Sequence, residues 1–218
     1  MTLEAAVEAK DVESVKNLLA SGADANGVDQ WGCPLLIRAI RLGQTDIAVS
    51  LISRGADVHA RHSDNSTPLH WAAGGGVAVP DLTIAKLLLA KGAQVDAKTK
   101  MGNTPLIWAA KSIEESAVAV AELLLAHGAD LNCDGQDGIP LQYAKDDGTS
   151  AMVDMLGRQR KVSLPGNRDL RGRRCAKCNS TDVEQTAILP KREVWECNTC
   201  KHTWSIWYPP YQHRNERP

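Results

Sequence analysis

A block of roughly 34 residues recurs along this chain, and it narrows the possible folds more than any other feature. Its clearest copy is TPLHWAAGGGVAVPDLTIAKLLLAKGA, from Thr67 to Ala93. The opening recurs as CPLLIRAI from Cys33, TPLIWAA from Thr104 and IPLQYAK from Ile139. The close recurs as SGADAN from Ser21, RGADVHA from Arg54 and HGADLNC from His127. Pro34, Pro68, Pro105 and Pro140 are spaced by 34, 37 and 35 residues, and Gly22, Gly55, Gly92 and Gly128 by 33, 37 and 36. Self-similarity at this period predicts a solenoid in which each small unit stacks on the next.

Each copy carries the signals of two short helices. A proline fits the first turn of a helix, where its missing N–H breaks no bond, and Thr67 or Thr104 before it can act as N-cap. The first helix is alanine-rich, which lets a neighbour approach closely. In the second, Ile84, Leu87 and Leu88 fall at helical spacing, as do Val120, Leu123 and Leu124, and a glycine then supplies the left-handed stop. One such pair cannot bury its own apolar face, so it must stack. The motif resembles the ankyrin repeat over about residues 1–157. The resemblance implies a mostly α solenoid of about five repeats, with hairpin tips between them, that binds partners through those tips and the exposed face of the first helices.

Net charge is −1, but it divides unevenly. Residues 1–157 hold 12 Lys+Arg and 20 Asp+Glu, a balance of −8; residues 158–218 hold 13 and 6, a balance of +7. Such asymmetry predicts two parts with different surfaces. Three segments are expected: 1–157 as the repeat domain, 158–172 as a basic linker, and 173–218 as a separate module with an aromatic tail. No run of ~18 apolar residues predicts a membrane span, and the N-terminal MTLEAAVEAKDVESV has neither a basic region nor an apolar core. A cytoplasmic, monomeric protein is the expectation.

Residues 3–26 read as a first repeat without the TPL opening, with Glu4, Glu8 and Lys10 suited to a polar end cap. In the second repeat, Arg38 stands where the third and fourth have tryptophan. The third and fourth repeats carry extra residues between their helices, Gly74–Asp81 and Lys111–Ala119. These insertions either build a shared ridge or reflect free drift in loop length. The second helix of the fifth repeat is expected at about 149–156, ending at Gly157. Residues 158–174 then hold seven Arg/Lys against one acid and show no apolar period, which predicts a linker.

Cys175-Ala-Lys-Cys178 and Cys197-Asn-Thr-Cys200 form two CxxC pairs separated by 18 residues, a metal-binding spacing. The segment between them and the run His202–Tyr208 are strand-like. This resembles a zinc ribbon over about residues 173–208: a small β sheet pinned by one structural zinc ion on four thiolates, with no open coordination position. About 35 residues cannot fold on an apolar core alone, so zinc would supply much of the stability. The acidic tip pair of elongation-factor ribbons is replaced by Pro190-Lys191-Arg192, so their assistance to polymerase is not implied. Disulfides, a redox CxxC and ligation by His202 are the weighed alternatives.

If the ankyrin resemblance holds, the partner-binding tips are Asp29-Gln30-Trp31, His62-Ser63-Asp64-Asn65, Thr99-Lys100-Met101 and Gln136-Asp137. Trp31 is either a contact residue or lies back on its neighbouring repeat. Trp71 and Trp108 are expected to pack between repeats, and His70 to form structural hydrogen bonds. In the tail, Arg168, Arg171, Arg173, Arg174, Lys177, Lys191 and Arg192 accompany Trp207 and Tyr208, which suits phosphates and bases or a second protein contact. No nucleophile motif, phosphate loop or open metal site is present, so the chain is not expected to be an enzyme. It is expected to be an adaptor or inhibitor binding a protein, with a basic surface as the partner's complement to the acidic solenoid. The alternative is a regulatory factor whose basic ribbon contacts DNA or RNA.

Overall fold

A proline or threonine at the front and a glycine at the back of each of the first four repeats bracket a pair of helices. The computed structural model describes residues 1–74, 79–133, 135, 138–146, 148–163, 183–189, 192–197 and 203–207, with side chains to residue 159. Two compact units divide the chain, Met1–Arg160 and Lys161–Pro218.

In the first unit the pairs are α1 (Leu3–Glu8) with α2 (Val12–Ala20), α3 (Leu35–Arg41) with α4 (Thr45–Ser53), and α5 (Pro68–Ala72) with α6 (Leu82–Ala90). Then come α7 (Pro105–Lys111) with α8 (Ser116–Ala126), and α9 (Pro140–Asp146) followed by α10 (Ser150–Ser163). The odd-numbered helices α1 to α9 pack in one row, and α2, α4, α6 and α8 pack in a second. Gly22, Gly55, Gly92 and Gly128 lie just past the second helices at φ of +95°, +87°, +86° and +87°, the left-handed stop that the repeat predicts.

The turns between repeats set the structural register. Asp29 N–H donates to the Cys33 carbonyl, His62 N–H to Ser66, and Thr99 N–H to Asn103, each at 2.9–3.0 Å. Gly32, Asn65 and Gly102 hold the matching left-handed position at φ of +77°, +69° and +76°, so Asn65 serves there as a non-glycine that tolerates it. This register places Pro34 opposite Thr67 and Thr104, one residue ahead of Pro68 and Pro105. Pro34 is accordingly the N-cap residue of α3 with no side-chain cap bond, whereas Pro68 and Pro105 occupy the first turns of α5 and α7. The proline spacing therefore misleads by one residue at the second repeat. Arg38, Trp71, Trp108 and Tyr143 are the equivalent positions.

The core lies between the two rows. Ala39, Ala72 and Ala109 are fully buried on the first helices, and Ile84, Ala85 and Leu88 on α6, with Val120, Ala121 and Leu124 on α8. Leu87 and Leu123 are only half-buried. Burying a leucine side chain contributes about 2 kcal/mol, so the repeated leucines supply most of what each unit needs to stay docked. Polar ties lock successive repeats. Gln44 Nε2 donates to the Val7 carbonyl at 2.9 Å, Thr45 Oγ1 to Asp81 at 2.6 Å, and Asp57 N–H to Asn26 Oδ1 at 2.7 Å.

Two boundaries differ from the sequence reading. The insertion at 111–119 is partly helical, because α8 begins at Ser116. Its loop abuts that of the third repeat: a Cβ on Gly74 would sit 3.0 Å from the Pro80 ring and 3.1 Å from Ser112 Cβ. Residues 75–78 of the other insertion lie outside the described residues. Helix α10 runs through Gly157 to Ser163 instead of stopping. Met152 and Leu156, fully buried, anchor it, and the good helix formers Arg158 to Lys161 outweigh a glycine costing about 1 kcal/mol.

In the second unit, β1 (Val183–Leu189), β2 (Arg192–Cys197) and β3 (Thr203–Trp207) form an antiparallel sheet in the order β1-β2-β3. Val183 pairs with Cys197, Leu189 with Arg192, and Arg192 with Trp207, with a register irregularity between Gln185 and Ala187.

Candidate partner-binding face

The turns and first helices present side chains with three fates. Asp29 is buried, 5% exposed: its Oδ1 accepts the Trp31 and Cys33 N–H groups, both at 2.9 Å. It shapes the turn and, although expected as a contact, is withdrawn from solvent. Asp64 does similar work one repeat on, accepting Ser66 N–H at 2.9 Å and Ser66 Oγ at 2.6 Å. Burial pushes its carboxyl up, but the Ser66 hydroxyl, the Ser66 N–H and the His62 ring together hold it below the ordinary value of 3.8. Asn65 Nδ2 donates to the Lys98 carbonyl at 3.1 Å, and Lys100 N–H to the Asp64 carbonyl at 2.9 Å, so adjacent tips brace each other.

Exposed at the tips are Gln30, Ser63, Asn65, Lys100, and above all Trp31 and Met101, at 67% and 64%. The last two hold equivalent turn positions in the second and fourth repeats. Gln30 is anchored through its N–H to Glu4 Oε1 at 2.8 Å. His62 is half-buried, its ring 5.9 Å from that of Trp71. Gln136 and Asp137 lie outside the described residues.

Behind the tips runs a ladder of cations on rings. The Arg38 guanidinium lies 5.1 Å from the Trp31 ring, Arg41 4.7 Å from Trp71, and the Lys111 ammonium 4.9 Å from Tyr143. Trp71 and Trp108 meet edge to face at 5.1 Å, joining the third and fourth repeats. Arg38 also grips Glu8 with its fork, at 2.7 and 3.0 Å, and this hydrogen bond raises its already high pKa. Glu8 and Glu4 thus turn toward the second repeat, which corrects their reading as an outward cap. Arg38, Arg41 and Lys111 as ring-stacked cations, and Tyr143 as the partner of Lys111, were not foreseen. The only sequence signal for them was a basic residue three places after Arg38 and Trp108.

The charge of this face is opposite to that of the whole repeat domain. The turns and first helices of repeats two to four contribute Arg38, Arg41, Arg61, Lys98, Lys100 and Lys111 against Asp29 and Asp64, both engaged within their turns; Asp24, Asp57 and Asp96 lie in the connectors just before, each accepting a backbone N–H. Glu13, Asp46, Asp81, Glu115 and Glu122 sit on or cap the second-row helices.

Two buried groups hold the scaffold. His70, fully buried, donates from Nε2 to the Asn103 carbonyl at 3.0 Å and accepts the Thr67 N–H at Nδ1 at 3.1 Å. Burial pushes its pKa down from 6.5 to about 4. Burial also pushes the Cys133 thiol up to about 11, against the hydrogen bond from Thr104 Oγ1 at 3.2 Å, and raises the Cys33 thiol. Both stay protonated.

Of the C-terminal candidates, Cys197 and Arg192 lie on β2 and Trp207 on β3. Cys175, Cys178, Cys200, Arg168, Arg171, Arg173, Arg174, Lys177, Lys191 and Tyr208 lie outside the described residues. Among the described residues no group of three or more His, Cys, Asp or Glu could hold a metal, and no helix is long and apolar enough to cross a membrane.

The family model described as ankyrin repeats (3 copies) matches residues 3–99, 36–135 and 77–164. A stretch of 64 residues, 29% of the chain, is 45% identical to the 2-5A-dependent ribonuclease of Mus musculus and covers 9% of it. A stretch of 144 residues, 66% of the chain, is 31% identical to FPV222 of Fowlpox virus (strain NVSL), whose name records ankyrin repeats, and covers 18% of it. The chain therefore spans less than a fifth of the length of either relative. Repeats of this kind mediate protein–protein interaction. With the family model matching residues 3–164, and helix pairs, left-handed glycine stops and linked tips among the described residues, the chain belongs to the ankyrin repeat family.

Proposed function

We propose that this chain is an adaptor or inhibitor that grips a protein partner through the tips and first helices, with its C-terminal module making a second contact. The observation that carries this reading is the exposure of Trp31 and Met101, at 67% and 64%, on equivalent turns, with Val28 also exposed beside Trp31. Apolar side chains held out on a rigid turn are the kind of anchor that gives up most free energy when an interface closes over them. The total charge of the repeats argued for a partner with a basic surface. A partner meets one face, however, and the cations of this face argue for the reverse. Cross-linking of the full chain to a captured partner tests the reading. Cross-links from Lys100 and Lys111 support it; cross-links confined to α2, α4, α6 and α8 refute it.

For the C-terminal module the proposal is a zinc ribbon. Cys175, Cys178, Cys197 and Cys200 would hold the ion, and their donor set suits it: four soft thiolates fill a tetrahedron and leave no position for a substrate. The metal's part is then to shape the module. A short tether between two weak contacts raises the effective concentration of the second, so modest affinities combine.

A second reading rests on the seven Arg/Lys against one acid in residues 158–174: this end contacts DNA or RNA and the repeats recruit protein. Titration of the full chain with duplex and single-stranded oligonucleotides decides it. Binding that weakens steeply with salt, and is lost when Arg171, Arg173 and Arg174 are neutralised, supports it. No binding at low salt removes it.

A further inference from the structure

The chain contains a worked example of how its own face takes a carboxylate. Arg38 rests on the Trp31 ring at 5.1 Å and closes its fork on Glu8 through Nε and Nη2, at 2.7 and 3.0 Å. The ring holds the guanidinium in one plane, so the bidentate pair loses little freedom on forming. Three residues along the same helix, Arg41 rests on Trp71 at 4.7 Å. Arg41 makes no ion pair among the described residues; its Nε is buried, and the polar group beside its guanidinium is the Cys33 thiol, not a carboxylate. The stacking is repeated and the carboxylate is not.

The surroundings of Arg41 are continuous with the tips. Trp71 bonds from Nε1 to Ser66 Oγ at 2.9 Å and meets His62 on the tip of its repeat. That tip is joined to the next through the bond from Lys100 N–H to the Asp64 carbonyl at 2.9 Å. Lys100 and Met101 are exposed there, and Lys111 lies farther along the row of first helices. Cations and apolar groups thus alternate on one surface.

We propose that this surface binds an acidic peptide segment with apolar anchors, one of its carboxylates pairing with the Nη side of the Arg41 guanidinium, since Nε is buried there. This rests on the reading of the tips and first helices as the partner-binding face, and names the partner's chemistry. A nucleic acid fits less well. Arg41 covers a face of Trp71, Lys111 covers one of Tyr143, and the Trp71 and Trp108 rings meet edge to face, so few ring faces are left for bases. A carboxylate needs only the edge of a guanidinium that is already held in place.

The test is selection from a random-peptide display library against the full chain, followed by affinity measurement of the enriched peptides. Enriched peptides are expected to be rich in Asp and Glu with spaced apolar residues. Arg41→Glu should weaken them at least about tenfold, and Arg41→Lys should weaken them less, because charge stays while the fork is lost. Lys100→Glu, at an exposed site, should also weaken them and keeps the test open if Arg41→Glu unfolds; thermal unfolding of each variant shows which case applies. Enrichment of neutral or basic peptides whose binding falls on Trp31→Ala overturns the acidic partner and leaves the face intact. Peptides indifferent to all four substitutions, or no enrichment at all, overturn both. An oligothymidylate that binds this face and displaces the peptides also overturns the proposal.

Discussion

Lowering the pH should unlatch the third repeat from the fourth through one imidazole. A carbonyl only accepts hydrogen bonds, so the 3.0 Å contact with Asn103 places the His70 proton on Nε2. Nδ1 is then the acceptor for Thr67 N–H at 3.1 Å. A second proton on Nδ1 would displace that N–H and have only the Thr67 hydroxyl, at 2.9 Å, to accept it, inside a site with no solvent. Burial is the main reason the pKa falls from 6.5 to about 4; the Arg61 charge adds to it, while the Asn103 carbonyl and the Asp64 carboxylate oppose it. The unfolded chain takes up a proton near pH 6.5 that the folded chain refuses, so stability falls as pH drops from about 6.5 toward about 4. Linkage makes the loss about 2 kcal/mol by pH ~5 and about 3 kcal/mol by pH ~4. The lowered carboxyls of Asp11 and Asp64 act in a different window, since their stabilisation begins to fade only near and below 3.8. Urea unfolding of the wild type and His70→Gln, followed by far-UV circular dichroism across this range, isolates the effect. The variant should be less stable at neutral pH, where it loses the Asn103 tie, but should shed about 3 kcal/mol less on acidification. Parallel pH profiles for the two proteins would refute the assignment.

Three further outcomes follow from the packing and the cysteines. Gly74→Ala should destabilise by roughly 1–3 kcal/mol in thermal or urea unfolding, since a Cβ there meets Pro80 and Ser112 at a φ of +120°. Leu88→Ala, at a fully buried site on α6, should cost about 2–5 kcal/mol, whereas Leu87→Ala at its half-buried neighbour should cost visibly less. On the zinc-ribbon proposal, metal analysis should find about one zinc per chain, and a strong chelator should change tryptophan fluorescence with little loss of helical signal. Metal-free protein with unchanged fluorescence would count against the four-thiolate site.

Most of the repeat scaffold was legible because its signals are local. A glycine past a leucine run forms a left-handed stop from its own backbone preference, and Thr104 caps α7 through its own hydroxyl, whatever lies across the interface. The helix pairing, the structural hydrogen bonds of His70 and the meeting of Trp71 with Trp108 could therefore be read from the sequence. The candidate face was legible only in part: Trp31 and Met101 are exposed as tips should be, while Asp29 turned inward because two backbone N–H groups needed its carboxylate.

By itself, the sequence determined the period, the helix pairs and the acidic repeats ahead of a basic, cysteine-bearing end, since spacing and composition suffice for those. Tertiary structure alone decided three things. It set Pro34 one residue ahead of its apparent counterparts, because turn hydrogen bonds and not prolines define the register. It carried α10 past Gly157, because buried Met152 and Leu156 outweigh one glycine. It gathered cations onto the tips and first helices, because Arg41 and Trp71 belong to different repeats and become neighbours only when those repeats stack.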